Sequence, residues 1–363
     1  MCWNRIKRPQ DILKQPFQAF FRSFGRKFMF ILCYARPPRK PPTPIENVLV
    51  IRRNRLGDAV LTAQYLSSLI KARPEINITV LTNEYAAPIY LAVSPEVRVV
   101  ILPEKYFYSS IGVFFHPEVR RLRSTFFDAS IVASASFSSR SILLLMMFNS
   151  RFRAAVRDDI RPSPMEAFLD ESVPMSALDY RFHQIYKLAA VFNLAGLRCT
   201  PSPTPYLAED LKRHVLIFAD CNRPESHIAI KTWIAFAKQI RARGFIVKLC
   251  TKIRSTKASP DIELVFCDKT DEVINAIKQS GHVVCSEGGA SHLAAALGRM
   301  ITVFSGVNIK HSWFPFSNEC GLLEYPNLPQ TITIDQMEAA FNRTCPRIIQ
   351  LQPEKMQQPT FKK

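Results

Sequence analysis

The turn Arg53-Asn54-Arg55-Leu56-Gly57-Asp58 leaves a short apolar run and sets one carboxylate beside two guanidinium groups at a backbone bend. Gly57 lets the chain turn tightly, and Asp58 falls at the start of the next helical stretch. Two roles are open to Asp58: capping the free N–H groups of that helix, or, from the carboxyl edge of a parallel strand, taking a proton from an attacking hydroxyl. Arg53 and Arg55 beside it suit an anionic partner. A second stretch, Cys285-Ser286-Glu287-Gly288-Gly289-Ala290-Ser291-His292, also passes from a strand-like run into a helical one. In a chain with only 11 glycines, Gly288 and Gly289 open a helix whose N-terminal amides attract phosphate. Ser291 and His292 add hydrogen-bond donors in its first turn, and Glu287 is placed to hold a ribose or sugar hydroxyl. The plainer alternative is a tight capped turn with a satisfied histidine. A third segment, Asn222-Arg223-Pro224-Glu225-Ser226 followed by Lys231-Thr232-Trp233, puts Lys231 at a helix start. There it is either a point charge on a phosphate or an ordinary surface lysine.

The turn bearing Gly57 is not a nucleotide loop of either common kind. A dinucleotide fingerprint needs G-x-G-x-x-G and a P-loop needs G-x-x-x-x-G-K-[ST], and neither pattern is present, so dinucleotide oxidoreduction and NTP hydrolysis lose most of their support. The nine cysteines are odd in number and scattered with no C-x-x-C pair, which reads as buried reduced thiols in a cytosolic protein rather than a zinc ribbon or redox centre. No D-x-D motif is present and no metal or other cofactor is expected.

These residues need a scaffold to position them, and 363 residues, 47% hydrophobic, suffice for two cores. From Glu46 onward short β-branched runs alternate with longer amphipathic ones. Asn47–Arg52, Asn77–Thr82, Val97–Leu102 and Phe127–Ser134 read as strands, and Ala59–Arg73, Ser139–Asn149 and Tyr180–Ala195 as helices. Three prolines within Cys199–Pro205 interrupt the pattern. It restarts with strands at His214–Ala219, Phe245–Thr251, Glu263–Cys267 and His282–Ser286, and helices at Lys231–Arg243 and Thr270–Gln279. The expectation is an α/β protein of two doubly wound Rossmann-like domains facing a cleft, with ligands at the carboxyl ends of the strands. The expected units are an N-terminal extension (1–45), a first domain (46–198), a linker (199–213), a second domain (214–345) and a flexible tail (346–363).

The net charge of +18 draws the chain towards phosphates. Residues 1–45 hold ten basic residues against Asp11 alone, half of that net charge. Phe17, Phe20, Phe21, Phe24 and Phe28 recur there at helical spacing, and the following apolar run, Phe28–Ala35, is far short of the ~20 residues that span a bilayer. An interfacial helix on an anionic membrane surface is expected, with a helix packed on its own protein as the alternative. Pro37–Pro44 reads as a stiff linker. Nucleic acid is not an expected partner, because no basic patch interleaved with aromatics lies in the folded part.

Taken in order, NVLVIRRNRLGDAVLTAQYLSSLIKARPEINITVLT, FDASIVASASFSSRS, Lys231-Thr232-Trp233, CSEGGASHLAAALGRMITVFSGVN and Trp313-Phe314-Pro315 resemble glycosyltransferase family 9, the ADP-heptose:lipopolysaccharide heptosyltransferases. The resemblance covers roughly residues 46–345 and implies the GT-B fold and inverting, metal-independent sugar transfer. It further implies Asp58 as general base and Lys231 on the donor diphosphate. Glu287, Gly288, Gly289, Ser291 and His292 fall on the nucleotide-sugar turn, and Arg53, Arg55, Arg140 and Ser141 on the acceptor side. The implied donor is ADP-heptose and the implied acceptor a lipid A–core oligosaccharide, met by a cytoplasmic protein peripheral on the inner face of the bacterial inner membrane. The family usually carries Asp where this chain has Glu287, which leaves other nucleotide-diphosphate sugars, or a non-catalytic nucleotide-sugar-binding scaffold, as alternatives.

Overall fold

The structure, a computed structural model, describes residues 38–53, 56–107, 112–178, 182–254, 262–307, 309, 312–325 and 332–344. The aromatic-basic run of the N-terminal extension, Arg55 and the tail from 346 lie outside the described residues.

Two six-stranded parallel sheets form the frame. The first contains β1 (Asn47–Ile51), β2 (Asn77–Thr82), β3 (Arg98–Ile101), β4 (Phe126–Val132), β5 (Asn149–Arg157) and β6 (Glu171–Pro174) in the order β3-β2-β1-β4-β5-β6. The second contains β7 (His214–Phe218), β8 (Ile246–Cys250), β9 (Glu263–Val265), β10 (His282–Ser286), β11 (Met300–Ser305) and β12 (Cys320–Glu324) in the order β12-β11-β10-β7-β8-β9. Numbered within its own half, each sheet runs 3-2-1-4-5-6, the doubly wound order. Its direction of growth reverses between β1 and β4, and again between β7 and β10.

The helices are α1 (Leu56–Ala72), α2 (Ala87–Val93), the short α3 (Glu104–Phe107) and α4 (Gly112–Phe115), α5 (Pro117–Ser124), α6 (Ser139–Met146), α7 (Gln184–Leu194), α8 (Ile230–Ala242), α9 (Thr270–Lys278), α10 (Gly289–Ala296) and α11 (Ile334–Thr344). None of them is long and apolar enough to cross a membrane.

Period-two burial sorts the strand residues. Val48 and Val50 of β1 join Leu216 and Phe218 of β7 in one apolar cluster between the sheets, together with α1 and α10. Leu49 and Ile51 face an outer cluster with α5 and α6, and Val215 and Ile217 another with Trp233, Phe236 and Ile240 of α8. Helix α1 is buried continuously from Ala59 to Leu66, which fits a helix enclosed between two sheets rather than one lying on a surface. Pro74 ends it.

Each half holds six strands where the sequence pattern gives four. The expected helix Ser139–Asn149 stops at Met146, and Asn149 begins β5 instead. Three arginines in β5 hide its alternation, although Ser150, Phe152 and Ala154 all point inward. The short β6 and half-buried β12 are edge strands with weak apolar patterns, and β11 follows α10 after only three residues. The expected helix Tyr180–Ala195 begins at Gln184, behind an N-cap in which His183 Nδ1 accepts from the Ile185 N–H. The expected extended entry lies against the first sheet, the Arg39 N–H donating to Asp170 Oδ1 at 2.9 Å.

Candidate active site

At the first switch point β1 ends in Ile51, and the next residue, Arg52, is only 3% exposed. An arginine buried there needs partners. One arm of its guanidinium donates to the Ala133 carbonyl just beyond β4, and Nη2 meets Asp58 Oδ1 at 2.5 Å. The Arg52 side chain thus bridges the gap between β1 and β4, the place where a doubly wound sheet opens a crevice. Asp58 sits in the first turn of α1, where the helix dipole favours its charge. Tyr90 lies fully buried beside this pair; desolvation raises its phenol well above the usual range and the Arg52 charge opposes the shift.

Arg53 is half-buried, and its carbonyl accepts from Asn83 Nδ2 at 3.1 Å. Arg140 stands at the start of α6, on the same carboxyl edge, while Ser141 is 4% exposed and engaged in capping. Its hydroxyl lies 3.0 Å from Ser138 Oγ, which also accepts its N–H.

The second switch point has a matching bridge. Beyond β10, the Glu287 side chain is 5% exposed and pairs with Arg223 Nε, beyond β7, at 2.8 Å. Burial pushes the Glu287 carboxyl up; Arg223 draws it down and Glu225 pushes it up again. Asp220, at the end of β7, accepts from Thr251 Oγ1 at 3.0 Å and from the Lys252 N–H at 2.6 Å. Lys231 is the second residue of α8, exposed and without an ion pair among the described residues.

Gly288 precedes α10 with φ +153°, a conformation that other residues rarely adopt, and its carbonyl accepts from Ser291 Oγ at 2.8 Å. Gly289 faces α1 across the cleft: a β-carbon there would stand 2.6 Å from Leu56 Cδ2. One turn on, His292 lies against Gly57, whose β-carbon would stand 3.3 Å from its Cδ2, and edge-on to Trp313 at 6.1 Å. Burial, helped by nearby His183, lowers His292 to about 3, so the ring is neutral at physiological pH. The N-termini of α1 and α10 therefore meet, one bearing Asp58 and the other the Gly288-Gly289 turn. The segment 312–316 ties the halves together behind them. Gln184 N–H donates to the Ser312 carbonyl at 3.1 Å, His183 Nε2 to that of Phe314 at 2.5 Å and Gln64 Nε2 to that of Phe316 at 3.2 Å.

The sequence singles out Asp58, Gly288, Gly289, Ser291 and His292, and the fold brings them together. Glu287 is engaged by Arg223 rather than left open. The structure adds Arg52 and Asp220; the sequence signal for Arg52 is a charge ending a strand that must be buried on both faces. Among the described residues no group of three or more His, Cys, Asp or Glu side chains is placed to hold a metal ion.

No family model and no curated protein matches the sequence. Solved structures do match. The structure of E. coli heptosyltransferase WaaC with ADP superposes with a TM-score of 0.68 at 16% identity, over 82% of this chain and 99% of that one. E. coli ADP-heptose lps heptosyltransferase II gives 0.64 at 17%, over 82% and 98%. The chain has the fold of these heptosyltransferases. A glycosyl transferase family 9 protein from Veillonella parvula shares it too, with a TM-score of 0.63 at 14% identity over 84% of this chain and 90% of that one. The GT-B architecture expected from the sequence is the architecture observed.

Proposed function

We propose that the protein is a family 9 glycosyltransferase that moves heptose from ADP-heptose to the inner core of lipopolysaccharide with inversion at the anomeric carbon. The observation that carries this reading is the meeting of the two helix N-termini, which sets Asp58 opposite an anion-attracting glycine turn. In this scheme an acceptor hydroxyl attacks the anomeric carbon from the face opposite the diphosphate. The new C–O bond forms as the sugar–phosphate bond breaks, ADP leaves with the bonding electrons, and Asp58 takes the hydroxyl proton. The amides at the start of α10, with Lys231, hold the charge growing on the diphosphate, which supplies the electrostatic part of the rate without a metal ion.

The acceptor lies on the side of the first sheet, near Arg53, Arg55, Arg140 and Ser141, and the donor on the side of the second, near Glu287, Gly288, Gly289, Ser291 and His292. Residues 1–45 attach the protein to the anionic inner face of the bacterial inner membrane, where a lipid A–core acceptor resides. Arg52 holds the Asp58 carboxylate at the crevice mouth. The test is to incubate the purified full chain with ADP-heptose and heptose-deficient, Kdo-bearing lipid A, without added metal, and weigh the product. A mass gain of one heptose is expected; ADP binding with no transfer would contradict this donor–acceptor pair.

The Arg223–Glu287 ion pair favours a second reading, in which the same chemistry uses another nucleotide-diphosphate sugar. The longer, already paired glutamate presents the sugar with a different set of acceptors. Calorimetric ranking of nucleotide sugars separates the two readings.

A further inference from the structure

The connection from β3 to β4 leaves the first sheet at its carboxyl edge, the edge that carries Asp58, and is not used by the scheme above. Its helices bury little: Val113 anchors α4, and Val119 and Leu122 anchor α5. What they leave outside is unusual. Phe115 is 69% exposed and Phe114 38% exposed, their rings edge-on at 5.7 Å. The Arg123 guanidinium lies over the Phe114 ring at 4.0 Å. Arg120 and Arg121 are exposed on the same short helix, where Glu118 pairs with Arg121 at 2.8 Å. Lys105 lies over Tyr106, whose ring meets His116 at 4.8 Å.

Solvent-exposed phenylalanines cost free energy in water unless another phase takes them up. Two adjacent rings form no groove for a peptide, whereas they match the depth of a headgroup–acyl boundary, with arginines at the level of the phosphates. Residues 104–124 hold four basic side chains against two acidic ones, so the phase they complement is anionic. We propose that this α4–α5 face docks on an anionic phospholipid bilayer, with Phe114 and Phe115 entering the interface and Arg120, Arg121 and Arg123 pairing with lipid phosphates. This docking depends neither on a role for residues 1–45 nor on which sugar is transferred.

The experiment uses the full chain with Phe115→Trp, a conservative change at an exposed site, and subtracts the emission of the parent protein. Vesicles of phosphatidylglycerol and phosphatidylcholine, with part of the lipid brominated near the top of the acyl chain, serve as quencher. Emission from position 115 is expected to shift to the blue and be quenched at least about twofold, and not in pure phosphatidylcholine vesicles. Adding Arg120→Glu and Arg121→Glu, with unfolding temperature unchanged, is expected to return it to the phosphatidylcholine level. An indole at position 115 that stays unquenched while the protein sediments with the anionic vesicles overturns the proposal, because binding then runs through another surface. Failure to sediment with them overturns it equally.

Discussion

Arg52 and Asp58 meet at 2.5 Å in the mouth of the first crevice, with one partner almost wholly buried and the other about one-fifth exposed. Because removing one member of such a pair strands the other charge, Arg52→Met is expected to lower stability by about 2–4 kcal/mol, and Arg52→Lys by less. Calorimetric unfolding checks this. Unfolding temperatures within a degree of the parent would mean that the pair contributes nothing to the fold.

Gly289 and Leu56 set the spacing of the two helix N-termini. Gly289→Ala puts a methyl group within contact of the Leu56 side chain and is expected to cost about 1–2 kcal/mol. The double variant with Leu56→Ala is expected to recover most of that loss relative to Leu56→Ala alone. Additive effects in this cycle would show that the helices do not depend on one another.

Three buried histidines predispose the protein to acid. Burial lowers His183 to about 4 and His282 and His292 to about 3. Their folded values lie below the unfolded value near 6.5, so the unfolded chain takes up protons first, and the stability they permit is lost as pH falls below about 6.5. Each removes at most about 1.4 kcal/mol per pH unit. Glu287, whose carboxyl is raised, acts in the opposite sense near the bottom of that range. The urea midpoint is expected to fall steadily from pH 7 to pH 5, and less steeply in His282→Gln; a flat profile would contradict neutral burial.

Ser141 separates a capping role from an acceptor role. Ser141→Ala removes the hydroxyl that meets Ser138 but leaves the N–H that Ser138 accepts, so a loss of about 1 kcal/mol or less is expected. If Ser141 also touches the acceptor, KM for the lipid acceptor rises in addition; a purely structural role leaves KM unchanged.

Much of this architecture is legible in the chain. β1, β2, β10, α1 and α8 carry strong periodicity or continuous β-branched runs, and their boundaries fall within a few residues of expectation. The missed strands have physical reasons: β5 is interrupted by arginines, and β6 and β12 sit at sheet edges where only partial burial is needed. The turns bearing Asp58 and Gly288-Gly289 are local, so sequence finds them. The Arg223–Glu287 pair is not local. It joins residues 64 positions apart across a switch point and exists only once β7 lies beside β10.

The proposed base of the sugar transfer is Asp58. Its most direct measurement is the transfer rate of Asp58→Asn against the parent chain, from ADP-heptose to Kdo-bearing lipid A, with product followed by mass and ADP affinity measured on both proteins. ADP is expected to bind both alike while transfer falls at least about a hundredfold. A variant that binds ADP and transfers at the parental rate would contradict it.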